Sequence, residues 1–97
     1  MLDAQQTAAP VAPVRDEVHV LLIAARSSRA ALLAVEDALG ASDAELCRLN
    51  LKPVGEIVEA TVKLRGIDAG AADRLAARVG AQLGVCNARV EHLWGLK

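Results

Sequence analysis

The feature that most restricts the fold is an apolar run, Val18 to Ala24, that is broken only by His19. The run is far shorter than the about 20 apolar residues that cross a bilayer as a helix. It also lacks the alternation of apolar and polar residues that marks a half-exposed strand. A strand of this kind suits the centre of a sheet, where both of its faces are covered. We therefore expect a central β-strand here.

Two helical patterns follow at a distance from each other. Ser27 or Ser28 is a good N-cap for the first, and Gly40 supplies its stop signal. Asp68 caps the second, and Gly84 ends it. Helical spacing predicts the buried faces: Leu32, Val35, Ala38 and Leu39 in the first helix, and Ala72, Leu75, Ala76, Val79 and Leu83 in the second.

Three other segments alternate between apolar and polar residues, which predicts half-exposed strands. A turn at residues 52–56 joins the first two of them into a hairpin. Their predicted apolar sides are Cys47, Leu49 and Leu51, then Val58, Ala60, Val62 and Leu64, then Cys86, Ala88 and Val90.

The resulting order is β-α-β-β-α-β. Right-handed crossovers of this length place both helices on one face of a four-stranded antiparallel sheet with strand order 4-1-3-2. The fold class is therefore α+β, a ferredoxin-like βαββαβ sandwich.

The other face of such a sheet is open, and the first strand has no polar side to offer it. We expect Val20, Leu22 and Ala24 to face the helices. Leu21 and Ile23 then lie on the open face, beside Thr61 of the neighbouring strand. An apolar centre on a charged face favours cover by a second molecule or domain. These three residues are the predicted self-association face.

Length and composition limit the remaining possibilities. The chain has 97 residues, which is one domain at most. Residues 1–15 are rich in Ala, Gln, Thr and Pro and are predicted to be a flexible linker, with the folded domain in residues 16–97. The net charge is −1 and aromatic residues make up 1%, so neither a basic stripe nor a stacking platform for nucleic acid is expected. No signal peptide is evident, which makes a cytosolic setting the expectation.

The element order, the helix directly after the first strand and the ending "LGVCNARVEHLW" resemble ACT-like regulatory domains. In those domains the last strand commonly follows a short run like Leu83-Gly84-Val85. Among them, the chain looks most like the C-terminal soluble domain of the MgtC/SapB membrane-protein family. That resemblance implies a cytoplasmic module attached to the inner membrane. It also implies a role in low-magnesium adaptation and intracellular survival, with the chain itself or its own membrane domain as the partner.

The resemblance also points to a ligand site. ACT domains that bind amino acids carry a D-x-P-G-type turn between the first strand and the first helix. Here the corresponding residues are Arg26, Ser27, Ser28 and Arg29, without glycine or proline. They could hold a small anion at the helix N-terminus, or one serine could simply cap the helix. The alternative function is accordingly an ACT-type sensor of an amino acid or anion that regulates an attached enzyme.

No catalytic set, metal site or cofactor is predicted. The serines have only arginines nearby, and a nucleophile needs a base and an orienting partner. His19 and His92 should lie at neighbouring positions of adjacent strands but on opposite faces of the sheet. No third ligand for a metal ion is evident. Cys47 and Cys86 are expected to be buried thiols, too far apart for a disulfide.

Overall fold

The computed structural model describes residues 17–93. The predicted linker, residues 1–15, lies outside the described residues. The elements are β1 (Val18–Ala25), α1 (Ser28–Gly40), β2 (Glu45–Val54), β3 (Ile57–Arg65), α2 (Ala69–Gly80) and β4 (Val85–Leu93). This is the predicted βαββαβ order.

The four strands form one antiparallel sheet in the order β2-β3-β1-β4, as predicted, so β1 and β3 are the central strands. β2 continues further than expected and ends in a two-residue turn, because Val54 already pairs with Ile57. Gly55 in that turn has a φ of +62°, a backbone conformation that costs glycine least.

The faces of β1 are the reverse of the prediction. Leu21 is 1% exposed and Ile23 is 2% exposed, and both are packed beneath the helices rather than on the open face. A strand that is apolar on both sides apart from one histidine does not itself specify which side is buried, so the partner strand decides. Leu21 pairs with Val62 and Ile23 with Ala60, which belong to the clearly alternating apolar side of β3.

The open face therefore carries the other set of β1 residues. Thr61 lies on this face, as expected, and is paired with Leu22. We use "aliphatic row" for the four half-buried β1 side chains at its centre: Val18, Val20, Leu22 and Ala24.

The helices cover the opposite face mainly with small side chains. Two predictions about their buried faces are wrong. Leu32 is exposed because α1 turns its alanines toward the sheet, and Leu83 is 96% exposed because α2 ends at Gly80, before reaching it. The buried helical residues are Ala31, Ala34, Val35 and Ala38 in α1, and Ala72, Leu75, Ala76 and Val79 in α2.

Candidate functional site

The junction of β1 and α1 holds the residues predicted as a ligand site. Ser27 has extended backbone angles and is the N-cap of α1. Its Oγ accepts a hydrogen bond of 3.1 Å from the amide of Ala30, and its carbonyl accepts the first helical bond, from Ala31. The capping interpretation of this serine is confirmed. Arg26, Ser27, Ser28 and Arg29 are all exposed.

The loop between α2 and β4 packs against this junction. The amide of Arg26 donates a hydrogen bond of 2.8 Å to the carbonyl of Gly84. Gly84 has a φ of +85°, and a Cβ placed on it would lie 2.8 Å from the Cβ of Ala30. Only glycine permits so close an approach in this backbone conformation. The loop consequently forms a wall beside the first turn of α1.

A shallow cleft of about 410 Å³ lies between that wall and α1. It brings together three of the four predicted residues, Arg26, Ser27 and Arg29, while Ser28 does not line it. Leu33 is 56% exposed and, with Leu83, gives the cleft an apolar side that the sequence interpretation missed. Two guanidinium groups beside exposed leucines suit an anionic ligand with an apolar part.

An ion pair holds α2 against α1 near this cleft. Arg78 donates two hydrogen bonds to the carboxylate of Asp37, at 2.6 Å from Nε and 3.2 Å from a terminal nitrogen, and Gln82 donates a third at 3.0 Å. The hydrogen bonds from Arg78, and then its positive charge, hold the pKa of Asp37 below its usual range. The same contacts raise the pKa of Arg78. Since Gln82 also lines the cleft, this contact helps to fix the cleft wall.

The open face is the second candidate site. Charged and polar residues of β3 and β4 lie on both sides of the aliphatic row, and a shallow depression of about 190 Å³ lies beside Leu22 and Ala24. Two exposed ion pairs lie on this face of the sheet. Arg65 of β3 pairs with Glu45 of β2 at 2.9 Å, and Arg89 pairs with Glu91 at 3.1 Å on β4, next to the aliphatic row. The face is thus an aliphatic strip between two charged margins.

The histidine and cysteine predictions need correction. His19 and His92 lie on the same face of the sheet, where they are direct register partners. Cys47 and Cys86 are exposed rather than buried. Each cysteine is the extra residue at a β-bulge, because the register of β2 skips Cys47 and that of β4 skips Cys86. A bulge turns its extra residue out of the strand's alternation.

Within residues 17–93, no group of three or more histidine, cysteine, aspartate or glutamate side chains is arranged to hold a metal ion. In the same part of the chain, neither helix has the length and apolar character needed to cross a bilayer.

Comparison with solved structures shows how this arrangement is shared. The C-terminal domain of the MgtC protein from Mycobacterium tuberculosis superposes with a TM-score of 0.68 at 17% identity, covering 84% of this chain and 93% of that one. The ACT domain from GTP pyrophosphokinase of Chlorobium tepidum superposes with a TM-score of 0.62 at 14% identity, covering 80% and 99%. The chain has an ACT-like fold.

The same ACT-like fold matches part of a homoserine dehydrogenase from Thiobacillus denitrificans, with a TM-score of 0.63 at 18% identity. That match covers 92% of this chain and 20% of the dehydrogenase. No protein-family model matches the sequence, and no curated protein matches it either. The predicted resemblance to ACT-like domains, and to the MgtC C-terminal domain among them, is confirmed at the level of the fold.

Proposed function

We propose that this chain is a non-catalytic regulatory domain that acts by protein contact, pairing with a second copy of itself through the open face. The observation that carries the proposal is the aliphatic row, which runs along the centre of the sheet face that neither helix of residues 17–93 covers. Burying such a row against another apolar surface contributes about 25 cal/mol for each Å² of apolar area removed from water, and the entropy lost on association offsets part of this gain. The partner surface would have to be apolar at its centre and charged at its margins.

The charges beside the aliphatic row fit a second copy. On β3, Glu59 is the register partner of Ala24, and Arg65 is the register partner of Val18. An acidic residue therefore lies near one end of β3 and a basic residue near the other end. Consider two copies that face each other across a two-fold axis, which lies in the interface and runs perpendicular to the strands. This axis would bring Glu59 of one copy over Arg65 of the other. The same operation would place Arg89 over Glu91 on β4. Self-complementarity of this kind is what an isologous two-fold interface requires.

We further propose that the chain is the cytoplasmic C-terminal module of an MgtC-type membrane protein, attached to the inner membrane and linked to low-magnesium adaptation and intracellular survival. The similarity to the C-terminal domain of the MgtC protein from Mycobacterium tuberculosis supports this choice among ACT-like folds. In such a protein, the membrane domain of the same chain is the other candidate occupant of the open face.

The test of self-association is the sedimentation behaviour of the Leu22→Glu variant across a wide dilution range. Leu22 is half-buried in the centre of the aliphatic row, so a carboxylate there should abolish a dimer without unfolding the monomer. Leu33→Glu is the matched control, because Leu33 is an exposed leucine on the helical side. A dimer that persists in Leu22→Glu, or a wild-type chain that is monomeric throughout, would contradict the pairing.

The cleft at the β1–α1 junction favours a second candidate function, an ACT-type sensor of an amino acid or anion that regulates an attached enzyme. The supporting observation is that Arg26 and Arg29 lie beside the exposed leucines of one cleft. An amide NMR titration with amino acids, inorganic phosphate and Mg²⁺, each added separately, tests it. Saturable shifts confined to residues 26–34 and 82–84, lost in Arg29→Ala, would favour sensing over protein contact. The absence of saturable shifts would reject the sensor.

A further inference from the structure

A pair of histidines, one buried and one half-buried, lies away from both candidate sites. His19 of β1 is 0% exposed, and its Nδ1 lies 2.9 Å from Nδ1 of His92 on β4. The two rings meet edge to face, with centroids 5.0 Å apart and planes at 86°. A nitrogen–nitrogen distance of this length is a hydrogen bond, so one Nδ1 carries a proton and the other accepts it.

The outer nitrogens of both rings also have partners. Nε2 of His19 lies 2.9 Å from the carbonyl oxygen of Ile67, in the loop that precedes α2. Nε2 of His92 lies 3.1 Å from Oδ1 of Asp73, on α2. The pair therefore connects two strands of the sheet to the helix and loop above them.

Counting protons shows which charge state this arrangement requires. A carbonyl oxygen and a carboxylate only accept hydrogen bonds, so each Nε2 must carry a proton. The bond between the two Nδ1 atoms needs a third proton. Two neutral imidazoles carry two N–H protons in total, and two imidazolium ions carry four. All three hydrogen bonds exist only when the pair holds three protons, one more than the neutral state.

Two carboxylates approach the pair. Oε1 of Glu17, just before β1, lies 3.7 Å from Nε2 of His19, and Asp73 approaches His92 from α2. On the β3 side, the register partner of His19 is Leu64, which is apolar and buried. A carboxylate thus lies at each end of the pair. β3, the other neighbour of β1 in the sheet, contributes no charge at that position.

We propose that His19 and His92 share a single proton, and that this shared proton makes the packing of α2 on the β1–β4 pair sensitive to pH near neutrality. Raising the pH removes the proton and leaves two acceptor nitrogens facing each other. Lowering the pH adds a second proton and sets two N–H groups against each other. Either change costs one of the three hydrogen bonds. The inference concerns one domain and does not depend on the pairing of copies.

The direction of the pH dependence follows from proton linkage. Histidines in an unfolded chain are half protonated near about pH 6.5, so two of them hold about one proton there, as the folded pair does. Above that pH the folded chain holds more protons than the unfolded chain, and stability falls. Below it the unfolded chain holds more, and stability falls again. The unfolding equilibrium constant should change by up to about tenfold per pH unit on each side of the maximum.

The first experiment is urea unfolding of the full chain at one fixed concentration, from about pH 5 to about pH 8, where histidines titrate and most carboxylates do not. We expect a stability maximum near the middle of that range. In His92→Leu, the hydrogen bond between the two rings is lost, so the stability maximum should disappear. Glu36→Gln, which removes an exposed carboxylate from α1, should keep the wild-type profile. A wild-type profile that lacks a maximum would overturn the proposal.

A second measurement on the wild-type chain does not depend on any variant folding. Long-range proton–nitrogen NMR spectra report which ring nitrogens carry protons. We expect both Nε2 atoms to be protonated and both Nδ1 atoms to be intermediate near the stability maximum. Asp73→Asn should release the shared proton at a lower pH than the wild-type chain. Two rings that titrate independently, or a bare Nε2 on either ring at that pH, would refute proton sharing.

Discussion

Ser27 and Gly84 together determine the corner at which β1 becomes α1. One satisfies the helix N-terminus through its hydroxyl, and the other lets the α2–β4 loop approach the first helical turn. The sequence alone predicted a serine cap but left Ser27 and Ser28 as alternatives, because both precede the apolar pattern. It assigned Gly84 only to the end of the second helix and did not indicate the approach to Ala30, since a contact between residues so far apart in sequence depends on the whole fold.

Removing the cap tests the role of Ser27. Ser27→Ala leaves the amide of Ala30 without its side-chain acceptor, and we expect a loss of about 1 kcal/mol in the free energy of unfolding. Ser28→Ala, one residue further along, should cost no more than about 0.5 kcal/mol. Urea unfolding of the two variants checks the difference. Equal losses of unfolding free energy in the two variants would mean that Ser27 is not the cap.

Gly84→Ala tests the close approach of the loop. The positive φ alone should cost about 1–2 kcal/mol, and the overlap with the Cβ of Ala30 should add about 1 kcal/mol or more. Gly55→Ala is a matched control, because Gly55 also has a positive φ but a Cβ there would meet open space. Thermal and urea unfolding should therefore show a larger loss for Gly84→Ala. Losses of the same size would mean that the loop yields without strain.

The elements themselves were largely predictable, while the orientation of one of them was not. The alternation of apolar and polar residues identified β3 and its buried side correctly, because Glu59, Thr61 and Lys63 define the solvent-exposed side. β1 has no such polar residues except His19, and this histidine proved to be on the buried side. The interpretation of β1 failed because burial of a histidine requires hydrogen-bond partners from distant parts of the chain, which a sequence pattern does not show.

The contact between α1 and α2 depends on pH through Asp37. Because the pKa of Asp37 is lowered in the folded chain, the stabilisation is present above the pKa that the residue has when unfolded. It is lost as the pH falls through the folded pKa. We expect Asp37→Asn to be less stable than the wild-type chain at about pH 7, with the gap closing below about pH 4.

Urea unfolding midpoints measured at both pH values would show the closing gap. Glu36→Gln is the control, since Glu36 is an exposed carboxylate next to Asp37 on the same helix. A gap between Asp37→Asn and the wild-type chain that is unchanged in acid would contradict the charge-assisted contact.

At the scale of the whole molecule, the buried residues of the sheet all lie in its two central strands. β1 buries every second residue, whereas β2 has only two half-buried residues, Leu49 and Leu51. Opening β2 locally would therefore expose little apolar surface. We expect amide hydrogen exchange in native conditions to be slowest in β1 and β3, and faster for the bonded amides of β2. Protection of β2 equal to that of β1 would contradict this distribution of stability.

The same scale explains what was predictable about the cleft. Arg26, Ser27 and Arg29 are neighbours in sequence, so their grouping needed no knowledge of the fold. Leu83 joins them only because α2 ends early and the following loop folds back onto α1. An exposed leucine in a loop produces no periodic signal, and the helical pattern assigned it to a buried face instead.

The bulges at Cys47 and Cys86 have a consequence for solubility. They interrupt the pairing of β2 and β4, which are the two edge strands and therefore the places where a sheet could recruit strands from other molecules. Pro53 adds to this on β2, because proline has no amide hydrogen for an incoming strand. Irregular edges of this kind oppose open-ended growth of the sheet into fibres. Copies of the chain are thereby directed away from strand-by-strand aggregation.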